Sequence, residues 1–373
     1  MNRPEVLLII AGSGRMLAEA AHKAGYQVMV IDHFADLDTR AHAIEVRRAP
    51  SLALEHVAPI LEDLIGCYGV GRVIYGSGLE YHPETLEYLN SRFTLMGNAP
   101  DVFRGLQNKV GFFAALARLK IPFPQVSFTV PDIRCEWLTK PMQGLGGLGI
   151  RRDDAKGSCD EDVYWQKFQP GTPGSVLFLA DSRDARIVGF NTQRTVQVSA
   201  GLEFAFFGLI NHSILSGRQK ALISLWLTQC VQIFGLKGLN SLDFIHDGEH
   251  VFVLEINPRP SASMQLYGDL LNLHIEACRG TLPDTLPGQK GFAGFQVVYA
   301  DAELRIPADL DWPDWARDRP EAGALCRAGQ PVCSIEACGR EPQEVWAALA
   351  ARQQQIFKQL NKVQCDGISS ECE

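Results

Sequence analysis

Near its start the chain reads "VLLIIAGSGRMLAEAAHKAGYQVMVIDHFAD": an apolar run, a glycine turn, apolar residues at helical spacing, and a second apolar run. That pattern predicts strand, loop, amphipathic helix and strand. A second unit follows, with a helix through about residues 52 to 67, the strand "RVIYG" and the turn "SGLEYHPE". Such alternation predicts a parallel sheet covered by helices, with ligands at the carboxyl ends of its strands. Around residues 97 to 125 the texture changes to a turn, a helix from about Leu106 to Leu119 and a proline-punctuated exit. Short strands then run to about residue 200. Later, "LNSLDFIHDGEHVFVLEINPRP" reads as two apolar strands joined by a turn at Asp247-Gly248. "FQVVYADAELRIP" and a helix from Pro342 to Leu360 predict a small C-terminal part, ending in a frayed "VQCDGISSECE".

Composition narrows the classes. At 373 residues the chain is too long for one ordinary core. Its 46% hydrophobic and 21% charged residues are those of a soluble globular protein. Acidic residues number 43 against 35 basic ones, and no Lys/Arg-rich block gathers, so no nucleic-acid surface is expected. A local cationic pocket for phosphate stays open. The opening apolar run lacks a signal peptide's basic start, and no run approaches a membrane span. Ten cysteines are scattered without CxxC pairs. Cys326, Cys333 and Cys338 come closest to a cluster, but no histidine joins them at zinc-site spacing. Reduced thiols in a cytoplasmic protein are the expectation.

Three stretches carry candidate chemistry. Gly12, Gly14 and Asp32 suggest a dinucleotide turn, but the third glycine of that fingerprint is missing, with Leu17 in its place. "LTKPMQGLGGLGI" sets four glycines behind Lys140. Glycines let backbone N–H groups turn toward an anion, and a lysine beside them suits polyphosphate. A flexible hairpin would also be glycine-rich. The loop is not a Walker P-loop, since Ile150 and Arg151 follow its last glycine, and no kinase signature accompanies it.

The third stretch, "VFVLEINPRPSAS", takes Glu255, Asn257 and Arg259 to the end of a buried strand. A hairpin at Asp247-Gly248 would return Asp243 beside them. Carboxylates in so apolar a setting need an offsetting cation. Mg²⁺ supplies one with few protein ligands; an Arg259–Glu255 ion pair with Asn257 capping a turn is the alternative. Parity bears on the choice. A two-residue loop puts Asp243 and Glu255 on opposite faces, whereas a three-residue loop, His246 to Gly248, puts them on one face but offset, so that twist or a bulge must unite them.

In order and spacing, "NKVGFFAALARLKIPFPQ", "WLTKPMQGLGGLGI", "YWQKFQPGTPGSVLFLAD" and "LNSLDFIHDGEHVFVLEINPRPSAS" resemble the ATP-grasp superfamily of carboxylate-amine ligases. The resemblance implies an α/β (α+β ATP-grasp) protein. A Rossmann-like pre-ATP-grasp domain would span 1–100, a two-lobed ATP-grasp domain 101–290 with a glycine-rich clamp at about 125–200, and a small C-terminal domain 291–373. ATP phosphates would be held by Lys109 and Lys140, with the loop containing Gly144, Gly146, Gly147 and Gly149 closing over them. Gln166, Lys167 and Phe168 would meet adenine, and Asp243, Glu255 and Asn257 would hold Mg²⁺, or Mn²⁺ in its stead. Arg259, with Lys140, would face the reacting groups.

Two positions depart from the family pattern. Ser175 stands where an acidic residue often binds ribose, and Asp243 where glutamate is common. The implied chemistry is an acyl phosphate made from ATP and a substrate carboxylate, then displacement of phosphate by an amine. "YGSGLE", "DHFADLDTRAHA" and "AGQPVCSIEACG" look most like ligases of methanofuran or tetrahydromethanopterin biosynthesis, the tyramine-glutamate ligase among them. Glu80 and Ser261 are candidate substrate contacts; His212, Arg194 and Arg218 could also reach the cleft. Small-molecule acid and amine are the expected partners, with no nucleic acid and no membrane, and self-association into a homodimer left open. An NAD(P)-binding dehydrogenase using the N-terminal unit and a non-catalytic nucleotide-binding scaffold are the competing readings.

Overall fold

The computed structural model describes residues 6–132, 136–153, 162–198, 203–289 and 291–369. Its first layer alternates as the pattern predicts: β1 (Val6–Ile10), α1 (Arg15–Lys23), β2 (Gln27–Asp32), α2 (Leu37–His42), β3 (Glu45–Arg48), α3 (Leu54–Cys67), β4 (Arg72–Tyr75), a 3-10 turn (Leu79–Tyr81), α4 (Pro83–Arg92) and β5 (Thr94–Met96). The strands are all parallel in the order β3-β2-β1-β4-β5. Continuous apolar runs form the central strands because both faces are covered; Leu7 to Ile10 and Val28 to Ile31 have no exposed surface. Strand order reverses between β1 and β4, which sets the carboxyl ends of those two strands as the natural ligand edge.

The helix expected from Leu106 to Leu119 is two helices, α5 (Pro100–Gln107) and α6 (Lys109–Arg118). Asn108 separates them, its side chain accepting from the Gly111 N–H at 3.1 Å. An asparagine oxygen competes well for the free N–H groups of a helix start, so the chain restarts there. The restart places Lys109 at the first residue of α6.

Next come β6 (Val126–Ser127), β7 (Trp137–Pro141), β8 (Arg151–Arg152) and β9 (Val163–Lys167), a small antiparallel sheet in the order β6-β9-β7-β8. Two longer strands follow, β10 (Thr172–Asp181) and β11 (Ala185–Val196). The clamp had been expected to reach about residue 200, but both join the central sheet, because β10 is too thoroughly buried for an outlying lobe: Val176 to Ala180 are fully covered.

The remaining elements are β12 (Ala205–Ile210), α7 (Gly217–Phe234), β13 (Lys237–His246), β14 (Val251–Asn257), a second 3-10 turn (Ala262–Leu266), α8 (Leu271–Cys278), β15 (Phe292–Tyr299), β16 (Leu304–Arg305), β17 (Ala316–Arg317), β18 (Leu325–Cys326), β19 (Pro331–Gly339) and α9 (Pro342–Ser369). The central sheet has eight strands, β14-β13-β10-β11-β12-β15-β19-β17, so the C-terminal segment extends this sheet and makes no separate one of comparable size. The last helix passes Leu360 and continues to Ser369; residues 370–373 of the expected frayed tail lie outside the described residues. Among the described residues no helix is long and apolar enough to cross a membrane.

Alternation along the strands divides the core. Val176, Phe178, Leu242 and Phe244 pack with Phe112, Phe113 and Leu227 of α6 and α7. Leu177, Leu179 and Leu239 face the other way, against Leu17 of α1 and Ile275 of α8. Ser175, Ser241 and Asp243 lie on that second side.

One histidine joins three elements. His274 of α8 has no exposed surface; its Nδ1 accepts from the Leu239 N–H at 2.8 Å and its Nε2 donates to the Met96 carbonyl at 3.1 Å. Burial pushes its pKa down to about 4. The folded protein therefore refuses a proton that the unfolded chain accepts below about 6.5, so stability is lost as pH falls from there toward 4. Wild type is expected to lose roughly 2 kcal/mol between pH 6.5 and 5 relative to His274→Gln, which keeps a donor and an acceptor but does not titrate. Urea denaturation across that window checks this. A stability gap that does not change with pH would refute it.

Candidate active site

The geometry of the acidic cluster follows from a hairpin neither expected loop described. The turn is residues 247–250, with Asp247 Oδ1 accepting from the N–H groups of Glu249 at 2.9 Å and His250 at 2.7 Å, and Gly248 at φ 107°. From His246↔Val251 the register runs to Phe244↔Val253 and then jumps to Asp243↔Glu255. Leu254 is the extra residue of a bulge, and the bulge brings the two carboxylates directly opposite on one face. Asn257 Nδ2 donates to Asp243 Oδ2 at 3.1 Å and Gln193 Nε2 to Oδ1 at 3.4 Å.

Two lysines meet this pair. Lys109 Nζ stands 3.6 Å from Glu255 Oε2, and Lys140 Nζ donates to Gln166 Oε1 at 3.1 Å beneath the ring of Tyr164. Burial raises Asp243 to about 7, and the Glu255 charge adds to this. In Glu255 burial works in the same direction, but Lys109, Lys140 and Arg259 outweigh it and hold that carboxyl below its ordinary value. Burial lowers Lys140 while the two acids oppose the shift. Two neighbouring carboxylates that cannot comfortably both ionise are a site where a cation would relieve repulsion.

The glycine-rich loop closes the cleft. Gly144, Leu145, Gly146, Gly147 and Leu148 line it together with Lys109, Lys140, Tyr164 and Glu255. The loop is docked on β12: the Phe206 N–H donates to the Gly146 carbonyl at 2.9 Å. Gly147 has φ 78°, and a Cβ there would lie 1.9 Å from the Phe204 carbonyl oxygen, so only glycine fits.

Three observations fit a magnesium nucleotide. The oxygen set is two carboxylates and an amide; among the described residues no group of three or more His, Cys, Asp and Glu side chains that could hold a metal ion occurs. That is the sparse set Mg²⁺ uses when phosphate oxygens complete its shell. Gly144, Gly146 and Gly147 border the cleft with backbone alone. The amide nitrogen of Gln166, 2% exposed on the same strand face as Tyr164, has no hydrogen-bond partner among the described residues.

Other sequence-derived candidates are placed as follows. The N–H groups of Lys167 and Phe168 already donate to the carbonyls of Gln125 and Glu136, and the Lys167 ammonium pairs outward with Glu136 at 2.8 Å. Phe168 stacks against Arg152 at 4.2 Å. Ser175 is buried inside β10, its Oγ accepting from Asn191 Nδ2 at 3.1 Å, so it is a sheet residue beside Asp243 and offers ribose no exposed hydroxyl. Arg259 Nε donates to Glu80 Oε1 at 2.5 Å, so its buried partner is Glu80 where Glu255 had been the expected alternative. Ser261 Oγ lies 2.9 Å from Ser263 Oγ. Arg194 stacks on Trp346 at 3.9 Å, His212 meets Phe292 edge to face with centroids 5.6 Å apart, and Arg218 is exposed on α7; the structure does not bring these three to the cluster.

Asp32 accepts from the N–H groups of Gly14 at 2.9 Å, Phe34 at 3.1 Å and Ala35 at 2.7 Å. Its oxygens are consumed inside the loop, and Gly14 is required because a Cβ would sit 2.4 Å from Val30. The dinucleotide reading of this turn loses its ribose-binding carboxylate. Sequence reasoning missed Tyr164, Gln193, Tyr75 and Asn98. Tyr164 alone left a signal, the alternation with Gln166 along β9.

Residues 106–263 match the family model of the ATP-grasp domain. No curated protein sequence matches the chain. Among solved structures, pyruvate carboxylase of Rhizobium etli is 16% identical with a TM-score of 0.72; the match covers 94% of this chain but only 37% of that one. The biotin carboxylase domain of Hydrogenobacter thermophilus 2-oxoglutarate carboxylase, solved with MgADP and bicarbonate, is 14% identical with a TM-score of 0.71 over 93% of this chain and 88% of that one. An L-amino acid ligase of Bacillus licheniformis is 14% identical with a TM-score of 0.69, covering 97% and 98%. These likenesses establish the mixed α/β ATP-grasp fold.

Gly147→Ala is expected to undock the loop. Left-handed backbone costs roughly 1–2 kcal/mol at alanine, and the clash with Phe204 adds to it. Amides of 144–149 and Phe206 should exchange faster, and MgATP affinity should fall at least about tenfold, while the protein's melting changes little. Unchanged exchange at Phe206 would show that the docking is not what holds the loop.

Proposed function

We propose that this chain is an ATP-dependent ligase that joins a substrate carboxylate to an amine, releasing ADP and phosphate. The observation that carries the reading is the bulge-aligned Asp243–Glu255 pair facing Lys109 and Lys140 beneath a closed glycine loop.

Bound MgATP would supply a transferable phosphoryl group, and its Mg²⁺ the positive charge that offsets the two carboxylates. Asp243, Glu255 and Asn257 would hold the metal, and Lys109 and Lys140 the phosphate oxygens. N–H groups of the loop from Gly144 to Gly149 add donors without adding mobile charge. The substrate carboxylate attacks the terminal phosphorus, the bond to the ADP oxygen breaks, and an acyl phosphate results. The amine then displaces phosphate to give the amide. Positioning and charge neutralisation do most of this work, so no protein nucleophile is required. The docked loop keeps water from the acyl phosphate.

A narrower proposal concerns substrates. The likeness of "YGSGLE", "DHFADLDTRAHA" and "AGQPVCSIEACG" to ligases of methanofuran or tetrahydromethanopterin biosynthesis favours addition of an amino acid such as glutamate in the making of a C1-carrier cofactor. Asp38, inside the second of these segments, binds Arg319, which lies nine residues before the third. Small-molecule acid and amine partners and a cytoplasmic setting accompany the proposal.

An ADP-release screen with amino acids, amines and pterin or furan precursors tests the reading. Wild type with MgATP, its acid and hydroxylamine should give a hydroxamate. Glu255→Gln should lower ADP release at least about a hundredfold through loss of a metal ligand, leaving the melting of ligand-free protein largely intact. Release of AMP in place of ADP, or full activity in Glu255→Gln, would show the mechanism to be wrong.

A further inference from the structure

Arg259 is held from several sides. Its Nε donates to Glu80 Oε1 at 2.5 Å, its Nη1 to the Pro260 carbonyl and its Nη2 to Asn257 Oδ1, both at 3.4 Å. A guanidinium carries five N–H bonds. One hydrogen on each terminal nitrogen is therefore left to donate, enough for two oxygens of a carboxylate or phosphoryl group.

Glu80 is itself fixed. Its Oε2 accepts from the Gly78 N–H at 2.5 Å, with Gly78 at φ 107°, and its backbone carbonyl accepts from Gln107 Nε2. Glu80 and Arg259 are each 7% exposed. Both carboxylate oxygens are engaged, which argues against direct capture of an amine by Glu80.

The same strand ends grip the backbone beside Arg259. The Pro258 carbonyl accepts from Asn98 Nδ2 at 2.9 Å, and the Tyr75 hydroxyl shares its one proton between that carbonyl at 3.1 Å and the Asn98 carbonyl at 2.9 Å. Asn98 also donates to Asn240 Oδ1 at 2.7 Å and accepts from the Lys237 N–H at 2.7 Å. Tyr75, Glu80 and Asn98 lie at or just beyond the carboxyl ends of β4 and β5, the edge where a parallel sheet ordinarily meets its ligand. Here that edge is committed to Pro258 and Arg259.

We infer that Glu80 is a positioning residue for Arg259, and that the first domain takes part in phosphoryl transfer by aiming this guanidinium. The inference rests on the ligase reading. It assigns the first domain a role in turnover and none in nucleotide affinity.

The test uses a partial reaction that needs no knowledge of the natural acid. Acetyl phosphate and MgADP are supplied to the full chain, and ATP is measured. In this reaction the ADP terminal oxygen bonds to phosphorus while the bond from phosphorus to the acetyl oxygen breaks, and acetate leaves with the electron pair. Wild type should form ATP. Glu80→Gln, which keeps an acceptor but not the charge, should lower kcat at least about tenfold while KM for MgADP stays within about twofold. Glu80→Asp retains the charge on a shorter arm and should fall between them, and thermal melts confirm that each variant is folded. Wild-type turnover preserved in Glu80→Gln would overturn the inference and leave the ligase reading standing. A parallel loss of MgADP affinity would reveal a general structural role and also overturn it. No ATP from wild type would remove the phosphoryl-transfer reading and this inference with it.

Discussion

Two carboxylates set side by side in an apolar strand pair constrain everything near them. Asp243 and Glu255 face each other across β13 and β14, and burial with mutual repulsion raises Asp243 to about 7. Such a pair persists only if positive charge converges on it. Lys109 comes from a helix start that Asn108 creates, Lys140 from the small sheet, and Arg259 from the chain just beyond β14. Three separate parts of the fold thus meet because one pair of acids must be offset.

The first domain resembles a nucleotide-binding sheet in its strand order, yet its ligand edge is occupied by protein. Asp32 is spent on three N–H groups. Arg15, 2% exposed at the start of α1, donates from Nε to Asp318 Oδ1 at 3.1 Å and from Nη2 to Gln265 Oε1 at 2.9 Å. Asp318 itself adopts a left-handed backbone at φ 53°, a conformation a non-glycine residue takes when its surroundings determine it. The C-terminal segment and the turn after β14 therefore close over the β1–α1 loop, while Tyr75, Glu80 and Asn98 take up the other half of the edge. A crevice that would hold a dinucleotide in another protein serves here to lock three parts of the chain together.

Much of this was readable in the sequence. Apolar runs with glycine turns predicted the parallel sheet, and the order of Lys109, Lys140, the glycine loop, Asp243, Glu255, Asn257 and Arg259 pointed to one phosphate-handling cleft. The sheet was legible because periodicity and local composition state which face of an element is buried and where the backbone must turn; the residue set of the cleft came from the family resemblance, and the structure brings Lys109, Lys140, the glycine loop and Glu255 to one cleft. The clamp boundary was less legible, since β10 and β11 read as more short strands until their burial assigned them to the central sheet.

What the sequence by itself determined is the inventory: which strands of the first sheet are buried on both faces, which stretches are helical, and which residues could neutralise an anion or hold a metal. Only the tertiary structure decided the pairings. Whether Asp243 meets Glu255 turned on one bulged residue, Leu254, since a shift of one position sends a strand's side chains to opposite faces. That Arg259 pairs with Glu80, 179 positions away, and not with Glu255 nearby, depended on how the first domain docks against the end of β14. Contacts of that kind arise from loop closure and shared burial, and neither leaves a periodic trace along the chain.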